Sequence, residues 1–383
     1  MKKAFVAILS LAALVGCSRD VVVDAPASAI IQFGDSFVEN KTRVAADPST
    51  TTANIQDFTV WGFRGTDQAE KLQLVFDDQY VSRNGDVWEY TPLQYWLQGE
   101  DYFFAAVSPA VYDVNGVAND VIKVTEKLSK QGLGTIEFTN EAGDVDLLYA
   151  EKHVYASTIN PSDPEEVKLQ FAHLLSKVKF TFSHTFYHEL TTVAVKNVCI
   201  TNSPKNGSID VTADRLDWAW DLGDKGATIE TVELEFGNVN GGNAFAAGKD
   251  NACESDVRLV IPSDTADELG VKIDFKFDVI IYHNGVEADT FKDVTSSLDV
   301  TKQMKDKAFV PGKSYNLVGQ INPDTTLGLK PILFTVEEVE DWVLDGNEFP
   351  DEPDQPVQLA TPSVKADVSG KVVTLTWAAV ENA

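Results

Sequence analysis

Alternation of apolar and polar residues is the dominant pattern along this chain. It is clearest at residues 271–279 (VKIDFKFDV), where every second side chain is apolar and charged residues lie between them. Residues 178–182 (VKFTF) repeat the pattern. Strands of this kind bury one face and expose the other, which is typical of antiparallel sheets and sandwiches. Helical spacing is scarce, and residues 301–307 are the best short candidate for a helix.

Asn-Gly pairs separate many of the predicted strands. Asn and Gly both tolerate the positive φ angles of a type I′ turn, so such pairs favour tight hairpins. The pairs occur at residues 84–85, 115–116, 206–207, 240–241 and 284–285. Together with the alternation, they predict an all-β fold.

Polar segments that contain proline divide this β pattern into parts. We predict a tether, a first β-sandwich, a linker, a second β-sandwich and an acidic Pro-rich spacer, at residues 18–29, 30–157, 158–166, 167–343 and 344–357. The remaining residues 358–383 resemble the first two strands of a fibronectin type III domain. Two strands cannot form a sandwich, so we expect the sequence to be cut short there.

The N-terminal residues have the pattern of an export signal. Lys2 and Lys3 precede an apolar run at residues 4–14, and residues 14–17 (LVGC) end it. Such a segment is typical of a secretory signal and is too short to span a bilayer. LVGC resembles the bacterial lipobox, which implies a signal peptide at residues 1–17 and acyl chains on Cys17. Each buried methylene of those chains would contribute about 0.8 kcal/mol to membrane attachment.

The charge of the chain limits its partners. It has 31 Lys and Arg against 59 Asp and Glu, a formal net charge of −28. Removal of the signal peptide with its two lysines brings this to −30. Because such a field repels phosphate backbones, we expect no nucleic-acid partner.

Motifs of catalysis and metal binding are missing from the sequence. It has no Gly-x-Ser-x-Gly, no phosphate-binding loop and no Cys-x-x-Cys. His184 and His188 have the spacing of a metal pair on a helix, but four residues span about 13 Å in a strand. We therefore expect no metal site at this pair, no cofactor and no enzymatic activity.

Cys199 and Cys253 are the cysteines that remain after Cys17. In an exported protein they could form one disulfide. Cys199 lies in an apolar run at residues 195–200, which is equally compatible with a buried free thiol. The sequence leaves their pairing open.

Residues 218–220 (WAW) place Trp218 and Trp220 on one face of a strand. Aromatic residues in strands mainly fill cores. If this face were exposed, the two indoles would form a platform for a glycan or a protein partner.

A series of aromatic-rich segments resembles a known family in its order along the chain. The segments are residues 30–33 (IIQF), 41–45 (KTRVA), 57–63 (DFTVWGF), 88–92 (WEYTP), 95–96 (YW), 102–109 (YFFAAVSP) and 173–178 (HLLSKV). With the lipobox, they resemble the fimbrillin (type V pilin) family of Bacteroides-type bacteria, over about residues 1–343. The resemblance implies two tandem transthyretin-like antiparallel β-sandwiches in a lipoprotein on the surface of the outer membrane.

In that family a protease cuts after an arginine in the loop that follows the first strand. That strand leaves, and a donor strand of another subunit fills the groove by β-augmentation. Carried onto this sequence, the cut falls between Arg43 and Val44, in a small, polar loop of the kind that proteases attack. Arg64 and Arg83 lie near turns and are competing sites.

The side chains proposed to fill the groove are Ile31, Phe33 and Phe37, which are spaced by two residues with Asp35 between the last two. They precede the proposed cut, so they would leave with the first strand.

Two functions remain open. Stalk pilins of the family offer a C-terminal donor strand, whereas here a spacer and a further segment follow residue 343. This favours an accessory, anchor or tip subunit of a fimbria with a role in adhesion. Its partners would be other pilus subunits, bound by strand exchange, and the outer membrane, bound through the lipid. The alternative is a monomeric surface lipoprotein that keeps its first strand and binds a host protein or a glycan.

Overall fold

Strands form nearly all of the regular structure in the computed structural model. The structure describes residues 30–34, 37–38, 55–65, 73–129, 132–155, 158–160, 163–188, 190–212, 218–223, 229–262, 272–299, 309–323, 334–341, 364–369 and 372–377. The predicted helix at residues 301–307 lies outside these ranges.

The strands are numbered in chain order. The first eleven are β1 (Phe37–Val38), β2 (Asp57–Arg64), β3 (Gln73–Asn84), β4 (Val87–Glu89), β5 (Tyr102–Ser108), β6 (Ile122–Ser129), β7 (Gly132–Thr139), β8 (Leu148–Val154), β9 (Gln170–His173), β10 (Ser176–His184) and β11 (Thr191–Pro204). The others are β12 (Asn206–Asp210), β13 (Trp220–Asp221), β14 (Thr231–Glu235), β15 (Phe245–Ala246), β16 (Cys253–Glu254), β17 (Arg258–Val260), β18 (Lys272–His283), β19 (Val286–Asp299), β20 (Lys313–Ile321), β21 (Phe334–Asp341), β22 (Val364–Ser369) and β23 (Val372–Trp377). Short 3₁₀ helices lie at Val239–Gly242 and Lys249–Asn251.

The all-β prediction is confirmed, and the alternating segments form the predicted strands. In β18 the apolar residues at every second position are buried, and those between them are exposed or half-buried. Asn284 and Gly285 join β18 to β19 with φ angles of 52° and 76°, as a type I′ turn requires. Residues 206–207 are an exception, because they lie within β12 rather than at a turn.

The first sandwich consists of a seven-stranded and a four-stranded sheet. The strand order is β1-β9-β8-β5-β2-β3-β4 in the larger sheet and β13-β12-β7-β6 in the smaller. Between them lies a buried cluster that includes Trp61, Phe63, Phe103, Phe138 and Trp220. The sheets are thus held face to face by large apolar side chains.

The second sandwich consists of two five-stranded sheets. One has the order β16-β10-β20-β21, with β17 also on β10, and the other has the order β14-β11-β18-β19, with β15 also on β11. Phenylalanines join the two sheets: the ring of Phe180 lies 5.4 Å from that of Phe275, and the ring of Phe182 lies 5.1 Å from that of Phe277. The strands β10 and β20 pair in parallel over eight residues.

The first sandwich contains strands from before and after residues 158–166, where the sequence analysis placed a linker. The strands β9, β12 and β13 follow that segment, yet they pair within the sheets of the first sandwich. The strand β12 pairs with β7, and β9 pairs with β8. The described residues between 30 and 341 accordingly form one compact unit.

Residues 343–383 form a separate unit. Its described part is the antiparallel hairpin of β22 and β23, in which Val364 lies opposite Trp377 and Ser369 lies opposite Val372. The hairpin lies in the segment that resembles the start of a fibronectin type III domain, and that type of domain stays a prediction.

Candidate functional site: the first strand and its groove

Residues 30–34 and β1, together called the first strand below, run alongside residues 167–171. The backbone N–H of Val167 donates to the carbonyl of Gln32 (2.7 Å), and that of Gly34 donates to the carbonyl of Val167 (3.1 Å). Further along, β1 pairs with β9 in the same parallel direction. The first strand is therefore an added edge of the seven-stranded sheet.

The loop after β4 holds the other side of the first strand. The backbone N–H of Ile31 donates to the carbonyl of Gln94 (2.9 Å), and the hydroxyl of Tyr90 donates to the carbonyl of Ile31 (2.6 Å). Burial raises the pKa of Tyr90, so its hydroxyl stays protonated and keeps donating. Sequence reasoning did not assign Tyr90 this contact, because the pattern of residues 88–92 does not show which distant carbonyl the hydroxyl reaches.

Two side chains of the first strand enter the apolar interior. Ile31 is fully buried, and Phe33 is 4% exposed. The rings around Phe33 are those of Phe58 (5.5 Å between centroids), Phe76 (5.7 Å), Tyr90 (5.8 Å) and Phe104 (6.2 Å). Each favourable aromatic pair contributes about 0.5–1.5 kcal/mol beyond area burial, so this cage is a strong seat for an aromatic side chain.

The rings around Phe33 lie on the face of the seven-stranded sheet that points away from the four-stranded sheet. All seven residues of β5 are buried, because the smaller sheet covers one face of β5 and the apolar cluster that includes Ile31 and Phe33 covers the other. Phe104 faces the cage, and its neighbour Phe103 faces the smaller sheet. At Gly62 of β2, a Cβ atom would lie 2.6 Å from the Phe76 ring. The bare backbone of Gly62 thus lets the cage pack closely on the sheet.

A cleft of about 590 Å³ lies beside the first strand. One wall is formed by residues 30–32, and another contains Tyr80, Trp88 and Tyr90. Polar side chains, among them that of Glu89, complete its lining. The cleft therefore has its present shape only while the first strand is in place.

The structure places the predicted groove-filling residues as follows. Ile31 and Phe33 lie buried in the groove, as predicted. Phe37 lies in β1, and its side chain is outside the described residues. Cys17, Arg43 and Val44 also lie outside the described residues, so lipidation and cleavage stay predictions.

The two competing arginines lie in paired strands. Arg64 lies opposite both Gln73 and Tyr102, and its guanidinium donates to the Gln73 side chain at 2.7 and 3.0 Å. Arg83 pairs with Trp88 and lies over its ring at 5.7 Å. A protease needs an extended, unpaired backbone, so both arginines are poor cleavage sites in the folded protein.

The two tryptophans of residues 218–220 do not form an exposed platform. Trp220 is 3% exposed, and its indole N–H donates to the carbonyl of Leu174 (2.7 Å). Trp218 is half-buried, with its ring 5.4 Å from that of Tyr149. Both belong to the core of the first sandwich, so the exposure on which a platform depended is not met.

Cys199 and Cys253, the cysteines within the described residues, are free in this structure. Cys199 is buried in β11, and Cys253 is half-buried in β16, which belongs to the other sheet of the second sandwich. Burial and the nearby carboxylate of Glu233 raise the pKa of Cys199 to about 11. A thiol held in this protonated form reacts slowly, and the pairing of Cys199 with Cys253 stays a prediction.

His184 and His188 lie in different surroundings. His184 is fully buried, with Nε2 2.9 Å from the carbonyl oxygen of Phe245, and its Nδ1 accepts from the N–H of Phe186 (3.3 Å). Both ring nitrogens of His184 are therefore engaged, whereas His188 is exposed. Within the described residues, no group of three or more His, Cys, Asp or Glu could hold a metal ion. Nor does any helix in those residues have the length and hydropathy needed to cross a membrane.

Three solved structures of bacterial proteins are similar to this chain. A fimbrial protein from Bacteroides vulgatus has a TM-score of 0.56 and 16% identity, over 82% of this chain and 99% of that one. A candidate cell adhesion protein from Bacteroides ovatus has a TM-score of 0.43 and 15% identity, over 82% and 98%. For a fimbrial assembly protein from Parabacteroides distasonis the values are 0.38 and 11%, over 81% and 93%. Of the three, the first exceeds a TM-score of 0.5, and at its low identity it bears on the fold alone.

The family comparison covers most of the chain. A comparison with curated proteins gives no match. The family model described as fimbrillin-like matches residues 42–342, well over half of the sequence. This match includes both sandwiches from β2 to β21. The chain therefore belongs to the fimbrillin-like family.

Proposed function

We propose that this protein is a non-enzymatic fimbrial subunit that assembles by exchanging its first strand for a strand of another subunit. The observation that carries this proposal is the seat of Phe33, which is surrounded by four aromatic rings and enters from the edge of the sheet. The first strand fills this seat much as a separate peptide would. Family membership and the Bacteroides vulgatus fimbrial protein of similar fold support the same role.

Departure of the first strand would create a binding site for another strand. The backbone of residues 167–171 would lose its parallel partner, and the aromatic cage would lose Phe33. An unpaired sheet edge beside an apolar groove is the geometry of β-augmentation, in which backbone bonds supply affinity and side-chain pockets supply specificity. The incoming strand would therefore carry a large apolar residue at the position of Phe33.

Cleavage between Arg43 and Val44 would release the first strand with its lipid. The cut follows β1 and precedes β2, so it would separate the first strand from the rest of the first sandwich. The paired positions of Arg64 and Arg83 support Arg43 over those two competitors. The family match begins at residue 42, which leaves the first strand outside the matched region.

We further propose an accessory, anchor or tip role in the fimbria, with attachment to the outer membrane through lipid on Cys17 before cleavage. The unit at residues 343–383 supports this role, because it follows β21 and adds a separate hairpin after the second sandwich. A strand that is followed by another unit is less free to serve as a terminal donor.

The test is the mature N-terminus of the full chain, determined by mass spectrometry of cell-surface and fibre fractions. We expect Val44 as the N-terminus in fibres, and we expect Arg43→Ala to abolish both processing and incorporation. Arg64→Ala is the matched control, because it removes an arginine from a paired strand and should leave both unchanged. Normal processing and incorporation of Arg43→Ala would rule out the proposed cut.

The cleft beside the first strand favours a second candidate function. A surface lipoprotein that keeps its first strand would retain this cleft, whose aromatic and polar lining suits a sugar or a peptide side chain. In that case lipid-modified Cys17 would be found in all of the protein. Ligand binding would then be lost on truncating Tyr80, which lines the cleft and lies outside the aromatic cage.

A further inference from the structure

Two histidines lie together at an exposed end of the second sandwich. His188 precedes β11, His283 ends β18, and both are exposed. Their ring centroids are 5.0 Å apart, and the ring planes are inclined by 60°. This inclination excludes parallel stacking of the two imidazoles.

The separation of the rings fits two imidazoles on one metal ion. With a metal–nitrogen distance of about 2.0–2.1 Å and a ring nitrogen about 1.2 Å from its centroid, two centroids lie about 5.2 Å apart at the tetrahedral angle. At an angle of 90° the same distances give a separation of about 4.5 Å. The observed 5.0 Å lies between these two values.

The backbone fixes both histidines relative to each other. Leu190 has a φ of 65°, which a residue with a branched side chain rarely adopts, and its carbonyl accepts from the N–H of Asn284 (3.0 Å). Thr191 donates its N–H to the carbonyl of His188 (3.1 Å) and lies opposite His283 in the β11–β18 pair. The turn with His188 is thus tied to the hairpin end with His283, as a preformed site requires.

Hydrogen bonding and charge also suit a cation here. The Thr191 hydroxyl lies 3.4 Å from Nδ1 of His283. In the tautomer in which Nδ1–H donates to this hydroxyl, the contact orients the ring and Nε2 is the metal donor. The chain has a formal net charge of −28, which raises the local concentration of divalent cations around it.

We propose that His188 and His283 bind Zn²⁺, with solvent molecules at the remaining coordination positions. Imidazole is a preferred ligand of zinc, and a site with open positions can also accept a ligand from outside the protein. The pair was not predicted, because residues 188 and 283 are distant in sequence and only the pairing of β11 with β18 brings them together.

The test is a Zn²⁺ titration of the full chain against a chromophoric chelator. We expect His188→Ala and His283→Ala each to weaken binding by about tenfold or more, at least the cost of losing an outer-shell partner of a metal ligand. His153→Ala is the matched control, because His153 lies in the first sandwich beside Tyr155 and should leave affinity unchanged. Zinc X-ray absorption should show two imidazole nitrogens.

Wild-type affinity in the His188→Ala/His283→Ala double variant would overturn the proposal. The two rings would then only pack together, and the bound Zn²⁺ would belong to dispersed carboxylates. A spectrum without imidazole nitrogen would lead to the same conclusion. Thermal unfolding of each variant shows whether a loss of binding reflects a loss of folding.

Discussion

Phe33 in the first sandwich and Phe334 in the second occupy similar seats but are attached very differently. Each is nearly buried, and each is surrounded by four aromatic rings. Phe334 belongs to β21, which pairs with β20 over seven residues. Phe33 belongs to the first strand, where β1 pairs with β9 over two residues and Phe33 itself forms an isolated bridge with Val167.

The difference lies in how much backbone pairing accompanies the aromatic packing in each sandwich. In the second sandwich, long continuous strands supply both the aromatic residues and the backbone ladder. In the first sandwich the aromatic surroundings are as rich, but the strand that carries Phe33 has few backbone pairing positions, although both strands lie at a sheet edge. The side chain of Phe33 is packed tightly, whereas the first strand that carries it has little backbone pairing. This combination favours strand exchange, because a new strand can place its own apolar side chain among the same rings.

Truncation of the two phenylalanines has the largest expected effect. Phe33→Ala and Phe334→Ala should each cost about 3–5 kcal/mol, the usual cost of emptying a large aromatic site. We expect Phe33→Ala to destabilise the first sandwich and Phe334→Ala the second, since each residue belongs to a separate core.

Two reporters can follow the sandwiches separately in a urea titration. Five of the seven tryptophans belong to the first sandwich, so tryptophan fluorescence reports mainly on it; they are Trp61, Trp88, Trp96, Trp218 and Trp220. Buried Cys199 lies in the second, and its pKa of about 11 keeps it unreactive until that sandwich opens. If each variant shifted both transitions equally, the sandwiches would unfold as one unit and the comparison would fail.

Substitution of one glycine in each sandwich tests how tightly the rings around Phe33 and around Phe334 are packed. A Cβ at Gly62 would lie 2.6 Å from the Phe76 ring, and one at Gly319 would lie 2.5 Å from the Phe334 ring. Gly62→Ala and Gly319→Ala should each cost about 1–3 kcal/mol, because the rings must move within a filled core. Gly62→Ala should also speed release of the first strand after cleavage, since Phe76 touches Phe33.

The glycine prediction is checked by the same two reporters and by the amount of first-strand fragment that stays bound after cleavage. Gly319→Ala is the control for fragment release, because it crowds only the second sandwich. The double variant Gly319→Ala/Phe334→Leu should recover part of the lost stability, since leucine lacks the ring that the new Cβ meets. Equal fragment release in both single variants would contradict the argument.

Local pattern was enough to predict the fold class and part of the site. Alternation at residues 271–279 predicted β18, and spacing by two in the first strand placed Ile31 and Phe33 in a groove. Alternation shows which side of a strand is apolar, but not which core that side faces. For this reason the burial of Trp220 against the first sandwich was not predicted.

The pairing of strands that are distant in the chain could not be predicted from the sequence either. The parallel contact of the first strand with residues 167–171 and the excursion of β12 into the first sandwich depend on the register of strands that are far apart in the chain. No local residue preference encodes such a register, since many apolar strands could pair equally well. The same reason explains why the contact between His188 and His283 was not predicted.

The smallest expected effect is a pH dependence confined to the second sandwich. Burial lowers the pKa of His184 below its usual value of 6.5, because desolvation disfavours the charged imidazolium, and the hydrogen bond to the carbonyl of Phe245 offsets part of this effect. Between the folded and unfolded pKa values, the unfolded chain binds a proton that the folded chain does not. Stability is therefore full above pH 6.5 and falls as the pH decreases, by at most about 1.4 kcal/mol per pH unit.

His184→Gln separates this effect from the titration of the many carboxylates. Its amide can donate to the carbonyl of Phe245 and accept from Phe186, but it does not titrate in this range. Between pH 7 and pH 5, Cys199 labelling should show that the second sandwich loses more stability in the wild type than in His184→Gln. Tryptophan fluorescence should show the same stability of the first sandwich in both proteins. A difference in the first sandwich would mean that the proton on His184 acts on both cores, and the separate attachment of Phe33 and Phe334 would no longer describe two independent regions.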